Sequence, residues 1–195
     1  ANPWLGGTES LQVTVDVQRA FSLGIEIVGA SIASARQVRA CLEVANDWHR
    51  SGTGEYPSSN ETFKAMHAKG KDVAVFVPHV EAGTALQEID EILALDGLRV
   101  VMLAMTDLSK ALGHPFDYEH ADVWRALDSI VAKAARRNVA VAANMGYDYT
   151  THEPMVARVQ RMCSHGVRIC LMQGADNMLE NFAKPMLGEI RARGN

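Results

Sequence analysis

The sequence predicts an α/β fold on a parallel sheet, and two observations carry that expectation. Short apolar runs alternate with longer amphipathic ones, the signature of repeated strand–helix units. The short runs are also nearly continuous rather than alternating, as expected of strands covered on both faces. An all-antiparallel sheet is therefore not expected.

Residues 11–17 (LQVTVDV) alternate like a strand yet run into 18–23, which has helical spacing, so this first segment stays open between the two. The predicted strands are 25–28 (IEIV), 72–77 (DVAVFV), 100–104 (VVMLA), 139–143 (VAVAA) and 167–172 (VRICLM). A helix over 34–48 follows from Val38, Cys41, Leu42 and Ala45 on one side. Leu86, Ile89, Ile92 and Leu93 repeat that spacing over 84–95, with Glu88, Asp90 and Glu91 on the solvent side. Leu127, Ile130, Val131 and Ala134 do so over 123–137, ending in Arg136 and Arg137 where cations suit the helix dipole. Helices over 154–165 and 177–193 complete the series. Pro154 suits a first turn, whereas Pro185 is expected to kink or divide the last helix. Residues 50–60 (RSGTGEYPSSN) form a connection or lid; Gly52-Thr53-Gly54 lacks the lysine of a phosphate loop and is assigned to a turn.

With 195 residues, 48% hydrophobic and 22% charged, the chain is expected to be one globular domain, 1–195, which excludes disorder and collagen. No run approaches the roughly 18 apolar residues of a membrane span, and the start has neither a charged nor an apolar leader segment. A cytoplasmic protein without a membrane partner is the expectation. A net charge of −4 with scattered Lys and Arg argues against nucleic acid. Cys41, Cys163 and Cys170 are odd in number and lack a CxxC pair, so buried thiols are expected rather than disulfides or zinc.

In βα sheets chemistry gathers at the C-terminal strand ends. Two acids stand there. Glu81 lies in Pro78-His79-Val80-Glu81-Ala82-Gly83, and Asp107 in Met105-Thr106-Asp107-Leu108-Ser109, about one βα unit further on. Adjacent carboxylates at one rim suit a hard divalent ion such as Mg²⁺ or Mn²⁺. The same residues also have plain roles, Asp107 as the cap of a short helix ending at Gly113 and Glu81 as a first-turn acid.

The run from Val75 to Leu98, followed by Ala104-Met105-Thr106-Asp107-Leu108-Ser109-Lys110-Ala111-Leu112-Gly113, resembles the HpcH/HpaI aldolase and citrate lyase family. The family pattern is a strand ending in Gln-Ile-Glu, a helix ending in an acidic-Gly pair, and a strand ending in Gly-Pro-Ala-Asp-Leu-Ser. This chain keeps Glu81, Asp96-Gly97, Asp107-Leu108-Ser109 and Leu112-Gly113. The likeness runs from about Ala20 to the C-terminus and includes Phe21 to Val28 as the strand entry. His79 stands where the family has Gln, Ala104-Met105-Thr106 where it has Gly-Pro-Ala, and Val28-Gly29-Ala30-Ser31 where it usually has a proline.

The resemblance implies a (β/α)8 TIM barrel and a class II, metal-dependent pyruvate aldolase, similar to 2,4-dihydroxyhept-2-ene-1,7-dioate or 2-dehydro-3-deoxyglucarate aldolases. A barrel typically needs about 250 residues. The expectation is thus the last five βα units over 21–195, with 1–20 irregular or a remnant of earlier units, in a truncated or incompletely represented enzyme. No counterpart is found of the family's acid–base His or keto-acid-binding Arg. The implied reaction cleaves or forms 4-hydroxy-2-oxo acids through a pyruvate enolate, from a small keto acid and an aldehyde. Glu81 and Asp107 are the expected metal ligands for Mg²⁺ (or Mn²⁺ or Co²⁺). His79 is the expected catalytic residue, with Thr106, Asp107 and His79 binding substrate; the other histidines are expected at the surface or in packing. Tyr147 to Thr150 are expected in a solvated loop, with lining or gating the site as the alternative. Met102, Met105, Met145 and Met172 are expected in the core or pocket wall.

A Schiff-base aldolase needs a desolvated lysine at a strand end. None qualifies, since Lys71 enters its strand at the opposite face and Lys64, Lys69, Lys110, Lys133 and Lys184 fall on helices or loops. An acyl-CoA lyase of the citrate or malyl-CoA type, and an inactive barrel relative acting as a binding protein, are the alternatives. Exposed sheet edges, and the resemblance, point to a homo-oligomer.

Overall fold

A computed structural model of the chain describes residues 10–23, 25–47, 59–61, 64–65, 74–81, 83–144, 152–171 and 175–193. Of the expected loop at 50–60, residues 50–58 lie outside them, as do Tyr147 to Thr150, Met145 and Met172.

Among the described residues the order is α1 (Ser10–Ser22), β1 (Ile27–Ile32), α2 (Ala35–Asp47), β2 (Val75–Val80), α3 (Gly83–Gln87), α4 (Ile89–Leu93), β3 (Val100–Leu103), α5 (Met105–Ala111), α6 (Ala121–Arg136), β4 (Ala140–Asn144), α7 (His152–Ser164), β5 (Ile169–Leu171) and α8 (Ala175–Arg193). The strands form one sheet in the order β1-β2-β3-β4-β5, every pair parallel. A sequential order without reversal is the winding of a barrel, whereas a doubly wound sheet would contain a switch point. The α/β class and parallel sheet are as the sequence predicts.

Residues 11–17 resolve as helix. Val13, Val17, Ala20 and Phe21 are buried while Val15 is exposed, so the i, i+4, i+7, i+8 stripe prevails over the local alternation. The expected helix over 84–95 divides at Glu88, which leaves helical geometry (φ −92°, ψ 11°). Its carboxylate instead accepts the Ala35 N–H at 2.7 Å, satisfying an orphan donor at the start of α2. Pro185 divides nothing, as α8 runs through it. Cys41 is buried, but Cys163 is exposed and Cys170 half-buried, because the last turn of α7 turns Cys163 outward.

β1 and β2 each start and end later than their apolar runs, β2 running through Pro78 and His79. The β2–β3 ladder begins at His79, one residue beyond Pro78, so the proline's missing donor falls where β2 has not yet engaged β3. Period-two alternation then gives the sheet two unlike faces. Phe76, Val80, Val101, Leu103, Val141 and Ala143 point to the helices and join Ile92, Leu127 and Met162 in the core. Each fully buried Leu there contributes about 1.5–3 kcal/mol. The other face carries Gly29 and Ser31 of β1, His79 of β2, Met102 of β3, Asn144 of β4 and Leu171 of β5. Cover on that face is incomplete: Ile169 and Leu171 are 44% and 38% exposed, contrary to burial on both sides.

Candidate functional site

Glu81 is one residue past β2 and two past His79, so both project from the same strand face. Its carboxylate is anchored from the neighbouring strand, with Ser31 Oγ donating to Oε2 at 2.8 Å. His79 Nδ1 lies 3.6 Å from Oε1, with the two side chains 10% and 16% exposed. Burial acts to raise the Glu81 pKa. The polar contacts of His79 and Ser31, with positive charge on His79 and Lys110, outweigh burial and hold the carboxyl below its usual range.

Gly29 is the seat of His79. A Cβ at Gly29 would fall 2.3 Å from His79 Nε2, so only glycine leaves room for the imidazole over β1. Nδ1 is consequently the ring nitrogen turned to Glu81. His79 thus lies inside β2 and is 8% exposed, where the sequence placed it on a loop past the strand.

Asp107 is the third residue of α5, which opens directly after β3 with Ala104 at its N-cap. No side chain caps from Ala104; Asn144 Oδ1 on β4 accepts the Met105 N–H at 2.7 Å instead. Asp107 itself is therefore not the cap. Its Oδ1 accepts from Lys110 Nζ at 3.1 Å. Thr106 is buried, its hydroxyl 3.2 Å from the Tyr118 hydroxyl. The fold so brings His79 and Glu81 into contact and sets Thr106 and Asp107 at the end of the adjoining strand. Lys110 couples the two acids, paired with Asp107 and acting electrostatically on Glu81.

The family model for HpcH/HpaI aldolase/citrate lyase matches residues 27–174, well over half of the chain. The chain belongs to the HpcH/HpaI aldolase/citrate lyase family. The 2-keto-3-deoxy-L-rhamnonate aldolase of Escherichia coli K12 is 33% identical over 131 residues, 67% of this chain and 41% of that enzyme. The namesake of Klebsiella pneumoniae is 36% identical over 66 residues, 34% of this chain and 25% of the relative. The chain thus spans less than half the length of these two curated relatives. The crystal structure of an HpcH/HpaI aldolase from Desulfitobacterium hafniense matches with a TM-score of 0.71 at 20% identity, over 91% of this chain and 68% of that one. The fold is accordingly that of this family's TIM-barrel-like aldolases, represented here by five parallel strands.

The family is generally dependent on divalent metal, and the donors at this rim fit such an ion. Both are hard carboxylate oxygens, one held ionised by its neighbours, and they outnumber the single ammonium of Lys110. His114, His120 and Asp122 form the one group of three potential ligand side chains among the described residues. They stand at the start of α6, not at the β2 rim. His114 Nε2 lies 3.0 Å from Asp122 Oδ2, the two imidazoles stack at 3.4 Å, and His120 Nδ1 accepts the Asp122 N–H. Arg125 pairs with the other oxygen of Asp122. His120 caps α6 through the Asp122 N–H, so these side chains already serve the start of that helix.

Gly29 and Ser31 stand out in the sequence only as a departure from the family pattern, and Asn144 not at all. Gly29 and Ser31 share one face at period two, a signal that was present; the Asn144 contact depends on the β3–β4 register, which no local pattern encodes. Of the other histidines with described side chains, His165 pairs with Asp128 and packs on Trp124.

Proposed function

We propose that this chain carries the ion-holding rim of a metal-dependent carbon–carbon lyase that cleaves or forms 4-hydroxy-2-oxo acids through a pyruvate enolate. The supporting observation is Glu81, kept ionised between Ser31 and His79 on a rim shared with Asp107. A bound Mg²⁺, Mn²⁺ or Co²⁺ supplies Lewis-acid stabilisation for negative charge developing on the keto-acid oxygens. Glu81 and Asp107 would hold that ion. Thr106 and Asp107 occupy the first turn of α5, where N–H groups lack intrahelical acceptors, and are assigned to the substrate carboxylate. Burial keeps the Thr106 side chain with Tyr118, so its main chain does the binding. His79, its Nδ1 3.6 Å from Glu81 Oε1, orients Glu81 and is assigned as the acid–base group. A small keto acid and an aldehyde are the substrates. A homo-oligomer belongs to this reading, since α8 exposes Leu179, Leu187 and Ile190.

Pyruvate release from 4-hydroxy-2-oxo acids, followed with Mg²⁺ present, tests the reading. Turnover abolished by chelation and in Glu81→Gln and Asp107→Asn supports it. Turnover that survives in both folded variants overturns it. Saturable ion binding without turnover over a broad aldehyde panel favours an inactive binding relative.

A further inference from the structure

Lys110 has no part in the reading above, yet the fold builds a position for it. Its ammonium donates to Asp107 one turn earlier on α5 at 3.1 Å, and both side chains are partly open to water, 46% and 35% exposed. On its other side Nζ stands 5.1 Å from the centre of the Phe116 ring. Phe116 holds that place in a left-handed backbone conformation, φ 65°, unusual for a bulky residue. The hydroxyl of Ser109 secures it, accepting the Phe116 N–H at 3.1 Å. An exposed aromatic ring in a strained conformation, facing an ammonium, is a cation–π support. The ammonium thus stands between a carboxylate and a ring, in contact with both. Its charge also acts on Glu81.

We propose that Lys110 is the resident counter-cation of the Glu81–Asp107 pair, displaced toward the Phe116 ring when a divalent ion takes the carboxylates. The inference rests on the ion-site reading of those two acids. A divalent ion on Asp107 would stand next to the ammonium, and like charges at such distances repel appreciably even in water. Lys110 therefore weakens ion affinity and sets the concentration at which the rim loads. An exposed pair is a weak competitor, so the effect is modest.

Calorimetric titration of the purified chain with Mg²⁺, checked with Mn²⁺ by electron paramagnetic resonance, reads affinity without turnover. Lys110→Met is expected to bind about three- to tenfold more tightly at low salt, the gain shrinking in high salt as screening removes the repulsion. Lys110→Arg keeps the charge and is expected to match the wild type. Lys110 is half exposed, so both variants should fold, and circular dichroism checks this. Binding in Lys110→Met alone also supports the proposal. Equal or weaker binding by Lys110→Met, with saturable wild-type binding that Glu81→Gln abolishes, overturns the role of Lys110 and leaves the ion site standing. Absence of saturable binding in both the wild type and Lys110→Met overturns the ion site and this inference together.

Discussion

Gly29→Ala is the sharpest test of how the site is held. The added Cβ would meet His79 Nε2 at 2.3 Å, Cε1 at 3.1 Å and Cδ2 at 3.3 Å, against an ordinary contact of 3.4 Å or more. Relieving the closest of these needs a shift of roughly 1 Å, and the ring is buried in β2 between β1 and β3. Overpacking of this kind costs about 1–3 kcal/mol. For a chain of this size that lowers Tm by about 2–4 °C per kcal/mol. Gly29 does not have a positive φ, so the cost is one of space and not of backbone strain.

A double-mutant cycle by urea unfolding separates that cause from a general loss of stability. Removing the ring in His79→Ala vacates the volume the new methyl would need. In that background Gly29→Ala is expected to be neutral or slightly stabilising, since Ala suits a strand better than Gly. The coupling energy should reach about 1–3 kcal/mol, as found for residues in direct contact. If Gly29→Ala costs the same with and without His79, within about 0.5 kcal/mol, the imidazole is not seated on Gly29 and the account of Nδ1 facing Glu81 fails.

Three further outcomes follow from the same contacts. Glu81 has a depressed folded-state pKa, so its ionised form adds stability above the unfolded-state value near 4.3 that is lost as pH falls through the lower folded value; the stability gap between wild type and Glu81→Gln should narrow in urea melts taken from pH 6 downward, and a gap that widens on acidification refutes the sign. Asn144→Ala removes the acceptor of the Met105 N–H and should cost about 1 kcal/mol, seen as a Tm drop of a few degrees, whereas an unchanged Tm means that α5 is not tied to β4. At pH 8 the exposed Cys163 should react with a thiol reagent in the native state while Cys41, whose thiol burial pushes up to about 11 despite a hydrogen bond from Thr14, reacts only on unfolding; mass mapping of the modified cysteines distinguishes the two.

The presence of five strands was legible because continuous apolar runs mark strands that need no solvent face. Their ends were not legible. Pro78 reads as a stop, and the sequence does not reveal that the β2–β3 ladder starts one residue later, which is what admits a proline in a central strand. The same slip moved His79 from an assumed loop into β2, changing its exposure and so its chemistry. Glu88 was lost in another way. As a solvent-side acid of a regular helix it looks ordinary, and only the tertiary approach of α2 gives its carboxylate a donor worth leaving helical geometry for. Leu11 to Val17 shows the converse, where a strand-like alternation yields to a helical stripe because burying Val13, Val17 and Phe21 in the core outweighs local pattern.

Glu81 and Asp107 stand out in the sequence by type and position, but what seats them at one rim is the support that the strand ends supply. Ser31 holds Glu81 from β1, His79 presses on it from β2, β3 delivers α5, and Asn144 on β4 fixes where that helix begins. The Ser31 and Asn144 supports cross from one strand to the next, so the rim is only as accurate as the parallel register. A one-residue slip of β2 would turn His79 and Glu81 to the helix face and bring Pro78 and Val80 to the open one. The buried row of Phe76 and Val80 on the helix side resists that slip. The apolar core that says nothing about function is therefore what sets the placement of the two acids relative to one another.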